Sequence, residues 1–192
     1  MGEKGELTKK MIREQAKHLF AEQGFSRITM KDICEAAGLS RGGLYRHYES
    51  TAEIFEEIFR ELSEENKSLI DTRIEEGASA LSILKEEMEF LKAEMLSPED
   101  SLSLPIYEYA STINSQLFEE LNEQGIRKWK RLIEYGVKRR EFVEEHTEEV
   151  ITMILYAYQG IRMWSRVISL PLQVAEDYEH CIIRLLCTES ES

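Results

Sequence analysis

Between Ile28 and Tyr48 the apolar positions form two short clusters, not one long stripe. Ile28, Ile33 and Ala37 precede Gly38; Leu39, Leu44 and Tyr48 follow it. The spacing predicts two short helices, near 30–37 and 41–47, joined at Gly38-Leu39. Their ends are marked. Thr29 is placed to cap the first, with Ile28 and Ile33 as a staple pair, and Gly38 to end it in the left-handed conformation. Ser40 caps the second, with Leu39 and Leu44 as its staple, and Ser50 and Glu53 form an S-x-x-E box opening a third. With Ile33, Ala37, Leu39, Leu44 and Tyr48 turned inward, Arg41, Gly42, Gly43, Tyr45 and Arg46 remain outside.

The remaining periodicity is helical throughout. A first helix over 8–23 carries Ile12, Ala16, Leu19 and Phe20 on one face and stops at Gly24. After the two short helices come a fourth over 52–76, stopped by Gly77, a fifth over 80–96 before Ser97-Pro98, a sixth over 105–114 and a seventh over 116–140. An eighth runs from His146-Thr147 to Ser169, Pro171 breaks it, and a ninth reaches Cys187, with a frayed 188–192 tail. Only three prolines interrupt the chain, and no window alternates with a period of two. The expected fold is all-α, with about nine helices.

The eighth helix is apolar around most of its circumference, from Val150 through Ile154, Tyr158 and Ile161 to Val167 and Ile168. A helix of this kind is buried on more than one side, and a second subunit is the expected second side. With a matching stripe on the ninth helix it predicts a two-fold, four-helix dimer interface through Ile154, Ile161, Arg162, Val167, Tyr178, Cys181, Ile182 and Leu185. Arg162 is out of place on such a surface. It either pairs with an acid across the dimer or holds an anionic ligand.

A helix as short as 41–47 cannot fold alone. Held out with small and basic residues on it, it has the size and chemistry to probe a DNA major groove. Arg41, in its first turn, reaches for guanine or a phosphate. Gly42 and Gly43 let the backbone approach closely. Thr29 offers a hydroxyl or a helix-terminal amide to a phosphate, and Lys31 and Arg46 are further phosphate partners.

From Thr8 to Phe59 the chain resembles the DNA-binding domain of the tetracycline-repressor (TetR) family of bacterial transcription regulators. The resemblance rests on Ala16, Leu19-Phe20, Gly24-Phe25, Thr29-Met30, Asp32-Ile33, Ala37-Gly38-Leu39-Ser40, Gly43-Leu44-Tyr45, His47-Tyr48 and Ser50. It implies that Tyr45 and His47 contact bases and phosphate, that Tyr48 is the core aromatic, and that Ser40 belongs to the DNA surface. Where the family commonly has a phosphate-binding Lys, this chain has Thr51, which keeps a hydroxyl donor. The resemblance also implies a helix-turn-helix DNA-binding domain over 1–50, a helical effector-binding and dimerisation domain over 51–192, and a homodimer.

Net charge is −13, which looks unsuited to DNA until it is divided. Residues 1–50 hold nine of the 24 basic residues and seven of the 37 acidic ones, a net of +2. The 15 basic and 30 acidic residues that remain leave −15 on the body. Such a body confines phosphate contact to one end. It also favours, weakly, a cationic inducer.

Cys34, Cys181 and Cys187 have no metal or redox spacing, the histidines stand apart, and no secretory segment, membrane span, nucleophile motif or phosphate loop is seen. The chain therefore reads as a cytoplasmic non-enzyme without metal or cofactor. An effector pocket would draw on Met88, Tyr107, Tyr109, Trp129, Met153, Tyr156, Tyr158 and Trp164, although aromatic stripes at helical spacing usually pack as core. The expected function is a repressor that leaves a near-palindromic double-stranded operator when a small molecule binds. The alternatives are a constitutive DNA binder, an activator, or a helical enzyme or carrier with a vestigial head.

Overall fold

The computed structural model describes residues 3–97 and 101–187, without the side chains of residues 3–4 and 63–68. The fold is all-α: α1 (Glu3–Gln23), α2 (Met30–Ala36), α3 (Arg41–Tyr45), α4 (Thr51–Glu75), α5 (Ala80–Leu96), α6 (Ser103–Thr112), α7 (Ser115–Lys138), α8 (Thr147–Thr152), α9 (Tyr158–Ser165) and α10 (Leu172–Leu186). No strand occurs among the described residues. The Pro98 break and the 188–192 tail lie outside them.

The eighth expected helix is interrupted. Between α8 and α9 the chain makes a π-helical turn at Met153–Ala157. A π turn inserts one residue into the helical repeat, so a search at 3.6-residue spacing passes over it. The same helix ends at Ser165, four residues early. Val167 and Ile168 both donate their N–H groups to the Trp164 carbonyl, and Pro171 disfavours helical geometry at Leu170.

The chain forms two compact units. The first comprises residues 1–65 and 102–118, the second residues 66–101 and 119–192. The sequence divided the chain at residue 50, where the motif ends; the compact unit also takes the first part of α4 and all of α6. Its core is aromatic. Phe20, Phe25 and Phe55 surround one another, and Tyr109 of α6 lies with its ring 5.0 Å from both Phe25 and Phe55. Ile12, Ala16, Ile33, Leu44, Tyr48, Ile54 and Ile58 complete it.

In the second unit α5, α7, the α8–π–α9 run and α10 pack around Ile83, Leu84, Met88, Trp129, Leu132, Ile133, Val150, Ile154 and Ile182. α7 ends without glycine. The Arg140 N–H bonds the Val137 carbonyl and the Glu141 N–H the Gly136 carbonyl, and Arg140 itself takes φ 62°. This is the paired-bond helix stop that glycine usually makes.

Gly136 is needed for a different reason. A Cβ there would lie 2.2 Å from the Phe142 ring, which is itself buried. Gly136→Ala should lower unfolding free energy by about 1–3 kcal/mol through overpacking. Denaturant titration would show it, and Phe142→Leu in the same chain should restore part of the loss. An alanine variant as stable as the parent would mean that Phe142 moves freely.

Candidate nucleic-acid interface

The short helices are built from their caps. Thr29 is the N-cap of α2, and Asp32 returns the bond. The Asp32 N–H donates to Thr29 Oγ1 at 3.4 Å, and Asp32 Oδ2 accepts from the Thr29 amide at 2.9 Å and its hydroxyl at 2.6 Å. Those bonds, the hydroxyl's first, hold the Asp32 carboxyl below its ordinary range. They also occupy both Thr29 donors offered above to a phosphate. A phosphate at this terminus would have to displace Asp32 or use the next amides.

At the other end of α2 the Gly38 and Leu39 N–H groups bond the Glu35 and Cys34 carbonyls, with Gly38 at φ 62°. Most residues resist that conformation, and glycine does not. Ser40 caps α3 by accepting from the Gly43 N–H at 3.1 Å. Ser50 accepts from the Glu53 N–H at 3.2 Å, while Glu53 reaches one residue farther back than expected, to the Glu49 amide at 2.7 Å.

These caps present α3. Leu44 is fully buried and Tyr48 nearly so; Arg41, Gly42, Arg46 and Ser40 are exposed, and Tyr45 is 53% exposed. Gly43 and Thr51 are half-buried. Lys31 is exposed and pairs with Glu35 at 3.5 Å. His47 is half-buried, and its Nδ1 is enclosed without a partner among the described residues.

Gly42 has nothing within 4 Å of where a Cβ would stand. The fold does not require glycine there, and a helical glycine costs about 0.5–1 kcal/mol against alanine. Gly42→Ala should therefore stabilise the protein by up to about 1 kcal/mol. It should also weaken operator binding roughly tenfold, one lost base-edge contact. Thermal denaturation beside a fluorescence-anisotropy titration reads both; a variant that gains stability and keeps full DNA affinity would show that nothing approaches this backbone.

One part of the site was not read from the sequence. Arg13, 8% exposed, donates from its Nη1 to the Tyr48 hydroxyl and to Glu57 Oε1, each at 3.0 Å, and from its Nε to Glu61 at 2.8 Å. Lys9 pairs with Glu57 at 3.2 Å and lies 4.8 Å over the Tyr48 ring. Tyr48, just past α3, is thus tied to α1 and α4, and burial pushes its hydroxyl pKa up. Lys9 and Arg13 were counted toward a basic head, yet they face inward and are neutralised by acids beyond residue 50. The available signal was Arg13 beside Ile12 on the apolar face, with Glu57 and Glu61 four apart on α4.

Of the expected pocket residues, Tyr107 and Tyr109 belong to the first unit and the other six to the second. Tyr109 is core, with its hydroxyl bonded to Glu56. Met88, Trp129 and Tyr158 are buried in the second core, Met153 is half-buried, and Tyr107, Tyr156 and Trp164 are exposed.

The residues expected at a dimer surface differ in their exposure within the chain. Ile154, Arg162, Tyr178 and Ile182 are already buried within the chain and have little surface left for a partner. Arg162 bonds Glu94 at 3.3 Å and the Tyr158 hydroxyl at 2.9 Å, so its acid is in its own chain. Ile161, Cys181 and Leu185 are half-buried, and Val167 is 73% exposed. Trp164, Ile168 and Leu172 are exposed as well. Among the described residues no group of His, Cys, Asp and Glu is arranged to hold a metal, and no helix is long and apolar enough to cross a membrane.

Residues 12–58 match the family described as "Bacterial regulatory proteins, tetR family". The chain is 32% identical over 139 residues to the uncharacterized HTH-type transcriptional regulator YfiR of Bacillus subtilis strain 168, spanning 68% of this chain and 66% of that one. It is 35% identical over 81 residues to the HTH-type transcriptional regulator AcrR of Shigella flexneri, 41% of this chain and 37% of that one. To the HTH-type transcriptional repressor KstR2 of Rhodococcus jostii strain RHA1 it is 26% identical over 131 residues, 65% of this chain and 62% of the repressor. Each match covers less than two thirds of the relative. Over nearly the whole chain, the fold is similar to that of a regulatory protein TetR from Rhodobacter sphaeroides, with a TM-score of 0.79 at 13% identity over 94% of this chain and 99% of that one.

Proposed function

We propose, for a chain that belongs to the tetR family of bacterial regulatory proteins, that it is a homodimeric transcriptional repressor released from its operator by a small molecule. The observation that carries the reading is α3. Its outer face joins Arg41, Tyr45 and Arg46 to a glycine the fold has no use for, while Leu44 and Tyr48 anchor it from behind. An exposed Arg at the start of such a helix reaches guanine O6 and N7, and the exposed backbone at Gly42 admits close contact.

Two-fold pairing is supported by the exposed apolar residues Trp164, Val167, Ile168 and Leu172, at the end of α9 and the start of α10. Control by an effector draws support from α6. Its Tyr109 is bonded to Glu56 of α4 and stacked in the reading head's core, and Glu108 accepts the Ser26 N–H at 2.8 Å, ahead of α2. A shift of α6 would therefore disturb the packing that orients α3. An effector acts only by its differential affinity for the DNA-fitting and the released arrangement.

The test is selection of bound duplexes from a random pool by the full-length protein. Near-palindromic sequences should be enriched, with half-site centres one helical turn, about 34–36 Å, or a multiple apart. A pool without enrichment after repeated rounds would end this reading.

A further inference from the structure

In the second unit α4 and α7 leave a cleft of about 260 Å³, lined by Ile70, Asp71, Gln124, Arg127, Lys128 and Arg131. Gln124, Arg127, Lys128 and Arg131 follow at intervals of three, one and three residues, which puts them on one face of α7. Three cations and one acid therefore line this cleft, in a body whose net charge is strongly negative. The lining side chains thus carry a positive balance at a concavity, although each cation also meets an acid.

The cations are held in unequal ways. Lys128 is fixed. Its Nζ pairs with Glu87 at 2.8 Å, and that carboxylate is almost wholly buried. Arg127 and Arg131 pair with Glu123 at 3.2 Å and Asp71 at 2.9 Å, and in both pairs arginine and acid are each more than a third exposed. Exposed ion pairs of this kind are weak and exchange readily with solvent. An oxyanion that engages both guanidinium groups at once gains paired, charge-assisted bonds that neither single acid provides.

We infer that this cleft binds a small molecule bearing a phosphate or carboxylate group. Its oxygens lie between Arg127 and Arg131 with Lys128 behind them, and Gln124 donates at the side. The volume, just below the usual range for ligand pockets, restricts the occupant to a small metabolite. This assignment rests on the effector-controlled reading and names the effector as an anion, against the cationic inducer suggested by the body's net charge.

The experiment is calorimetric titration of the full-length protein with inorganic pyrophosphate and, separately, with citrate. Sodium chloride at matched ionic strength is the control. Saturable binding of one probe identifies phosphate or carboxylate as the preferred group, and binding of both identifies an oxyanion site without that preference. Arg127→Gln with Arg131→Gln should weaken binding at least about tenfold, while Lys10→Gln, an exposed change on α1, should not. Both arginines are exposed, so the double variant should fold, and circular dichroism with an operator titration verifies that it does. Absence of saturable binding to either probe, or equal binding by the double variant, would overturn the site. The operator reading fails separately: bound anion that leaves DNA affinity unchanged removes effector control and leaves the anion site standing.

Discussion

Replacing Arg41 and Tyr45 together with alanine should abolish operator binding at concentrations that saturate the parent protein. Base-edge contacts are each worth about 1–3 kcal/mol, so losing both costs at least about thirtyfold in affinity. The oligomer and the fold should be untouched. Both side chains are exposed, neither belongs to the buried cluster behind α3, and the Ser40 cap does not involve them. Anisotropy titration against the selected duplex, with sedimentation on the same sample, separates the two effects. The variant should keep only the salt-sensitive, sequence-independent attraction common to basic surfaces. Specific binding by the double variant would move recognition off α3.

Arg13→Ala should be strongly destabilising to the reading head. Alanine at this site takes one of two cations from Glu57, which keeps Lys9, removes the partner of Glu61 and leaves the Tyr48 hydroxyl without its donor. Breaking a buried ion pair from one side costs about 3–5 kcal/mol. The low end, about 3 kcal/mol, applies here because Glu57 and Glu61 are partly open to water. In a chain of this size that lowers Tm by roughly 6–12 °C.

The loss should depend on pH in a defined direction. Partial burial works to raise the Glu57 pKa, but bonds to Tyr48 and Lys9 and the neighbouring cations bring it below the usual carboxylate range. A group depressed in the folded state stabilises above its unfolded pKa and ceases to do so as pH falls through the folded value. The gap between parent and variant should accordingly be full near neutrality and narrow in acid. A constant gap from pH 7 to pH 3 would assign the effect to lost packing of the Arg13 stem.

The parts of this molecule legible in sequence are the local ones. Thr29, Gly38, Ser40 and Ser50 act on amides or carbonyls within a few residues, so their spacing states their role. Even there Asp32 was passed over, because T-x-x-D departs from the usual Glu or Gln of a capping box. Long-range partners leave no such trace. Arg13 meets Tyr48, Glu57 and Glu61 across 35, 44 and 48 positions. Tyr109 looked like any pocket aromatic, because nothing near it in the chain announces Phe25 and Phe55. The Arg162–Glu94 pair, 68 positions apart, was misjudged for the same reason. The π turn escaped differently, since its residues keep an ordinary apolar composition and only the backbone hydrogen bonding changes.

That Tyr109 completes the aromatic core of the first unit bears on how such proteins can be recombined. A chimera joined at residue 50 would graft the helix-turn-helix motif onto a foreign α4 and α6. Phe20 and Phe25 would then meet whatever ring or void the recipient supplies in place of Phe55 and Tyr109, and Ser26 would lose the carboxylate that receives its amide. The transferable piece is therefore discontinuous: residues 1–65 together with 102–118. Exchanges of DNA specificity in this scaffold should move both stretches, or confine themselves to the exposed positions of α3.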